Sequence, residues 1–188
     1  MRRGTFAACT LVLALCAGYA AAQTAPPPAD TLKVDYFANI GGSIGQTMRL
    51  TNPGTSGGPL CAAIYVLDAD QEMTECCSCY LSPDGLRTLS VDVDLTSNPL
   101  IGTPPANGVF KVVSTTTTAG QCPAPLSLHP TPAIRGWATH LQDSGILTET
   151  ASQDATLSTS EVQRLERECL AISLVGSGKG VCACGAGD

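Results

Sequence analysis

The chain has 188 residues, of which 44% are hydrophobic and 14% charged, and its 16 acids against 10 bases give a formal charge of −6. That apolar content and a mean hydropathy of +0.16 exclude wholesale disorder, and the length suits one domain. The acidic balance excludes nucleic acid as a partner, because phosphate binding needs clustered Lys and Arg, and it excludes a basic membrane-surface patch.

Residues 1–22 have the three parts of a secretory signal. Arg2 and Arg3 form the charged start, Ala7 to Ala20 the apolar segment, and Ala20-Ala21-Ala22 the small-residue site for cleavage before Gln23. The apolar stretch is too short to span a bilayer, which takes about 20 residues. The expectation is an exported product, periplasmic or extracellular, without a stable membrane span. Residues 23–31 are a proline-rich lead-in around Pro26-Pro27-Pro28, extended by composition. Residues 32–188 are expected to form a single β domain with a C-terminal helix and a tail rich in Gly and Cys.

Strand patterns come next. Leu32 to Asn39 partly alternates. Gln46 to Thr51 sets Met48 and Leu50 against Thr47, Arg49 and Thr51, the two-residue period of a half-buried strand. Leu60 to Leu67 (LCAAIYVL) is continuously apolar and predicts a central strand buried on both faces. Asp68-Ala69-Asp70 ends it, and Cys76 to Cys79 reads as a loop. After the turn Ser82-Pro83-Asp84-Gly85, the alternation of Leu89, Val91, Val93 and Leu95 predicts one strand over Leu86 to Leu95. Asn107-Gly108 punctuates before a strand from Val109 to Ser114. Thr115 to Pro132 reads as a long irregular loop, and Ala133 to His140 as a further strand. The end of the chain differs. Ser158 and Glu161 carry a capping-box signal, and Val162, Leu165, Cys169 and Ile172 mark one apolar helical face up to Gly176. Successive strands with one late helix predict a mainly β fold, an antiparallel β-sandwich-like domain with one C-terminal α-helix, rather than a parallel α/β fold.

Outside residues 1–22 the cysteines are Cys61, Cys76, Cys77, Cys79, Cys122, Cys169, Cys182 and Cys184. An even set in an exported chain predicts disulfides. Neighbours Cys76 and Cys77 cannot pair with each other without strain, nor readily Cys182 with Cys184. Both clusters should therefore look outward, with the tail stapled to the Cys76–Cys79 cluster or to the helix carrying Cys169. The alternative is an envelope metal-binding protein holding Zn²⁺ or Cu⁺ through Cys76, Cys77, Cys79, Cys182 and Cys184. The spacing is not that of a zinc knuckle, and export favours oxidation, so no cofactor is expected.

The segments CAAIYVLDADQEMTECCSC, SPDGLRTLSVDVDLTSNPL, LSTSEVQRLERECLAI and GSGKGVCAC resemble a group of small exported cysteine-rich bacterial proteins. The resemblance spans most of the chain after the signal. It implies a single secreted cysteine-rich domain and brings no activity, ligand or catalytic residue.

Several motifs invite chemistry. Gly54-Thr55-Ser56-Gly57-Gly58-Pro59 is similar to the segment around a chymotrypsin-like nucleophile. No histidine stands between the signal and Ser56, and both His129 and His140 follow it, so the segment reads as a glycine-rich turn. Asp68, Asp70 and Glu72 lack the EF-hand glycine and glutamate, which leaves only a looser calcium site with Glu75, or a solvated acidic turn. Asp92 and Asp94 would share one strand face as paired carboxylates, or as its wet side, and underlie the alternative of a secreted hydrolase. His129 and His140 read as surface histidines and Trp137 as core. The sequence thus predicts a non-catalytic binding, surface or structural protein whose partner is an unknown extracytoplasmic ligand or protein, with no catalytic residue and no cofactor-binding residue.

Overall fold

Leu60–Asp68 (β3) is buried from Leu60 to Leu67, and its position explains why. In the computed structural model, which describes residues 29–38, 45–142 and 144–185, β3 lies inside a sheet that is covered on both faces. That sheet contains Leu32–Ala38 (β1), β3, Met73–Leu81 (β4), Asn107–Thr116 (β6) and Gln153–Ala155 (β9) in the order β4-β3-β6-β1-β9. A second sheet contains Thr47–Thr51 (β2), Leu86–Ser90 (β5), Arg135–Leu141 (β7) and Leu147–Ala151 (β8) in the order β5-β2-β7-β8. All of these strand pairs are antiparallel. The expected signal segment, residues 1–22, and residues 23–28 of the expected lead-in lie outside the described residues.

Two apolar layers follow from the two-residue period of β3. Leu60, Ala62, Ile64 and Val66 face the second sheet and pack with Met48, Leu50, Leu89, Phe110 and Ile134. Ala63, Tyr65 and Leu67 face the other way, toward Leu165, Cys169 and Ile172 of the helix Thr159–Val175 (α1). The fold is therefore an antiparallel sandwich with a helix laid on the outer face of its five-stranded sheet. Ser158 caps α1 by accepting the Glu161 N–H at 3.1 Å, and the helix ends at Gly176. Val162 is partly buried at the margin of the same apolar face.

Three segments depart from the sequence reading. Cys76 to Cys79 is not a loop but the middle of β4, paired in register with Tyr65 to Ala62 of β3. The alternation across Leu86 to Leu95 does not make one strand. β5 stops at Ser90, and Val91–Leu95 turns into a short π-helical coil. The cause is local: the Asp94 carboxylate accepts the Ser90 N–H at 2.7 Å, and Ser90 Oγ accepts the Val93 N–H at 3.3 Å. Such bonds compete with a strand ladder. Val91 and Leu95 are buried while Val93 is 64% exposed. Finally, β8 and β9 carry almost no apolar pattern, since every residue of β8 is exposed. They form because β7 and β1 offer ladder edges. The chain changes sheets between them at Ser152, whose N–H bonds to Gly136 O at 2.9 Å. A Cβ on Gly136 would stand 2.9 Å from Ser152 Oγ and 3.2 Å from Leu50 Cδ2, so glycine gives this crossing its close approach and a larger residue would have to displace those side chains.

Candidate functional site

β4 directs its cysteines by strand geometry. Adjacent residues point to opposite faces, so Cys76 faces the helix layer and Cys77 and Cys79 face the inter-sheet core. Cys76 bonds to Cys169 on α1, Cys77 to Cys182, and Cys79 to Cys184. Cys61 on β3 bonds to Cys122 in the loop after β6. All eight cysteines of the described residues are thus paired, and the tail is stapled to the β4 cluster, one of the two attachments the sequence allowed. The metal alternative is split by the same geometry. Cys76 belongs to the other face, whereas the Sγ atoms of Cys77, Cys79 and Cys184 lie within 4.8 Å of one another.

The tail fills the gap between two sheet edges. Val181 runs parallel to Cys76 of β4, with the Cys76 N–H bonded to Gly180 O at 2.8 Å. On the other side the Ala183 N–H bonds to Asp94 O at 2.7 Å, and buried Arg87 of β5 donates to Cys184 O at 2.7 Å. Gly180 sits at φ +76°, where a Cβ would meet Ile172 Cγ2 at 2.1 Å. The glycines that make the tail look loose are what let it approach α1.

Asn98 clamps this tail. Its Nδ2 donates to Gly178 O at 2.8 Å and to Val181 O at 3.2 Å, and its carbonyl accepts the Gly180 N–H at 2.7 Å. Its own N–H is held at 2.9 Å by Oε1 of Glu75, a fully buried carboxyl whose Oε2 has no hydrogen-bond partner among the described residues. Burial pushes the Glu75 carboxyl up to about 7, against the opposing pull of the Asn98 N–H and of the Lys179 charge. Glu75 is therefore no ligand of the acidic turn. There, Asp68 Oδ1 accepts the Asp70 and Glu72 N–H groups at 3.0 and 2.9 Å and caps its own hairpin.

His140 is not on the surface. It is 4% exposed, with Nε2 3.3 Å from Asp35 Oδ1 of β1 and 3.1 Å from Thr150 Oγ1 of β8. Its ring stacks on Tyr36 at a centroid distance of 4.1 Å. Ser152 Oγ donates to Asp35 Oδ2 at 3.0 Å, so β1, β7, β8 and the sheet crossing meet at one carboxylate. The cluster holds Asp, His and Ser, but not in catalytic order. A triad needs the hydroxyl on one imidazole nitrogen and the carboxylate on the other. Here the carboxylate and Thr150 share Nε2, Ser152 touches only Asp35, and buried Nδ1 has no partner among the described residues. The arrangement ties two sheets together.

The remaining sequence candidates stay apart. Ser56 is exposed in a turn, and its hydroxyl donates to Gly58 O at 3.0 Å. Asp92 and Asp94 do not share a strand face, because Val91–Leu95 is coiled; both carboxylates bond to Ser90. His129 is exposed, and Trp137 is half-buried rather than fully core. A cleft of about 430 Å³ opens beside Lys111, Glu161 and Arg164. Its charges satisfy one another: hydrogen bonds from Arg164 first, then from Lys111, hold the Glu161 carboxyl down at about 2 despite its partial burial. Sequence reasoning placed Glu75 with the acidic turn and His140 on the surface, and it missed Asn98 and the Asp35 partner of His140, since nothing near them in the chain marks those contacts. The one usable signal was the Cys-Cys-x-Cys spacing, which on a strand sorts sulfurs between two faces.

No protein-family model, curated protein or solved structure matches this chain.

Proposed function

We propose that this chain is exported and works in the periplasm or outside the cell as a non-catalytic structural or binding domain, with an extracytoplasmic protein or small ligand as its partner. The observation that carries the reading is the pairing of all eight described cysteines. Four disulfides join the helix, the tail and the long loop to a single sheet, a crosslink density suited to an oxidising compartment. No helix among the described residues is long and apolar enough to cross a membrane, which fits a product released after cleavage of residues 1–22. The acid-rich composition speaks for a partner other than nucleic acid. The site geometry supports a scaffold, because its polar clusters, including the one beside the cleft, are bonded among themselves.

The test is fractionation of cells expressing the full chain, with thiol alkylation under denaturing, non-reducing conditions. The expected product lacks residues 1–22, lies outside the cytoplasm and takes up no label. Cytoplasmic retention, or labelling of four or more cysteines, overturns the reading.

A further inference from the structure

We propose that the neighbouring bridges Cys77–Cys182 and Cys79–Cys184 are a reducible pair whose four thiolates, once freed, hold one Zn²⁺ ion. This goes beyond the scaffold reading and rests on the placement of the sulfurs, not on where the protein resides.

Two Cys-x-Cys segments face each other, one on β4 and one on the tail, each presenting two sulfurs to the same side. In a tetrahedral zinc–thiolate site with Zn–S of about 2.3 Å, neighbouring sulfurs stand about 3.8 Å apart. Here Sγ of Cys77, Cys79 and Cys184 already lie within 4.8 Å of one another, and Cys182 Sγ is bonded to the first of them. The fold thus gathers three sulfurs close to the spacing one ion requires, with the fourth, Cys182 Sγ, attached to one of them and freed to join them on reduction.

Stability does not account for the second bridge. Cys76–Cys169 already closes the long loop, and Cys77–Cys182 adds a ring of about 15 residues to it. With it formed, Cys79–Cys184 closes only a small ring, and small rings restrict the unfolded chain little. The surroundings suit an anionic site with an entrance. Cys77, Cys79 and Cys182 are buried while Cys184 is half-buried, so a reductant and an ion can approach from the Cys184 side. The Arg87 guanidinium, bonded to Cys184 O, brings positive charge beside it, which favours thiolate over thiol. Cys76–Cys169 and the β3–β4 ladder keep β4 in place when the pair opens.

Each bridge takes two electrons and two protons from one dithiol reductant, which closes to its own disulfide. Two dithiols thus yield four Cys thiols. Zn²⁺ then forms four Zn–S bonds as four protons pass to solvent.

The test uses the purified full chain, treated natively with a phosphine reductant, cleared of it and titrated without oxygen. Co²⁺ serves as the spectroscopic probe, and Zn²⁺ is measured by competition with a chromophoric chelator. The expected result is one ion per chain with the absorption bands of tetrahedral thiolate–Co²⁺. Affinity should fall at least 100-fold in the double variant C79S/C184S and stay unchanged in C61S/C122S. Absence of those bands, equal affinity in C79S/C184S, or loss of fold on reduction without ion uptake overturns the proposal and leaves the scaffold reading intact. Protein isolated with zinc and four free thiols supports this site and overturns the fully oxidised scaffold.

Discussion

The two sides of the sandwich are closed by different chemistry. Along the β4 and β5 edges the closure is covalent: the tail enters between the sheets and is fixed by Cys77–Cys182 and Cys79–Cys184. On the other side, where β1 and β9 approach β7 and β8, the chain itself crosses at Ser152, and the tie is the Asp35–His140–Thr150 cluster. Both closures join segments far apart in the chain. The first acts on the unfolded ensemble. The second acts only in the folded state and depends on complete hydrogen bonding. A domain with one covalent and one polar seam should therefore open from the polar side under heat and from the tail side under reductant.

The largest expected effect comes from removing the covalent seam. Truncation after Gly180 deletes Cys182 and Cys184 and leaves Cys77 and Cys79 without partners. Cys76–Cys169 still closes the long loop, so the lost ring through Cys182, about 15 residues, costs about 3 kcal/mol, and the loss of the tail's packing adds to that. Denaturant titration should show that drop and non-reducing mass analysis the mispaired products; unchanged stability would mean the tail is no staple.

Breaking the polar seam should cost somewhat less. Asp35→Ala takes a partner from buried His140 and the acceptor from Ser152 Oγ, and should destabilise by about 2 kcal/mol, the range for leaving buried polar groups short of a hydrogen bond. Hydrogen exchange in β8 and β9 should quicken while β4 stays protected. Equal loosening of both edges would show that the seams are not independent.

Glu75 sharpens the comparison, because it places a titrating group inside the covalent seam. Its folded pKa is raised to about 7 from 4.5, so between these values the folded chain keeps a proton the unfolded chain has lost. Stability should fall as pH rises through that window, and the whole cost, on the order of 3 kcal/mol, is present above pH 7. Glu75→Gln removes this slope. The variant should be more stable than wild type at pH 8 and equal to it at pH 4, as read by melting at each pH. A parallel pH dependence in both proteins would rule Glu75 out as the source.

Two smaller effects complete the series. Cys79→Ser with Cys184→Ser leaves the long loop closed by Cys77–Cys182 and should cost only about 1 kcal/mol, since the lost ring is small. A cost equal to that of truncation would show that the two bridges restrain the chain separately. Ser56→Ala, at an exposed turn, should stay within about 0.5 kcal/mol of wild type. Stoichiometric labelling of Ser56 by a fluorophosphonate would instead reveal a nucleophile.

What the sequence determined by itself was everything that rests on neighbours in the chain. The unbroken apolar run of Leu60 to Leu67 marks a strand covered on both faces, and Val162, Leu165, Cys169 and Ile172 mark one helical face. Both periods are properties of ten or so adjacent residues, and together they give a β domain with one late helix. Even counting of cysteines indicated crosslinks. Where the sequence pattern misled, at Leu86 to Leu95, the alternation was genuine, but the Ser90–Asp94 bond redirected the backbone. Only the tertiary structure decided the partners. The bridges span separations of 61 to 105 residues, and His140 and Asp35 meet only because β7 and β1 lie at the same end of facing sheets. β8 carries no apolar face of its own and is a strand because β7 supplies a ladder. Glu75 has its raised pKa because the Asn98 loop and the tail bury it. Periodicity records which side of an element avoids water, whereas the identity of what lies on that side depends on how the strands are ordered.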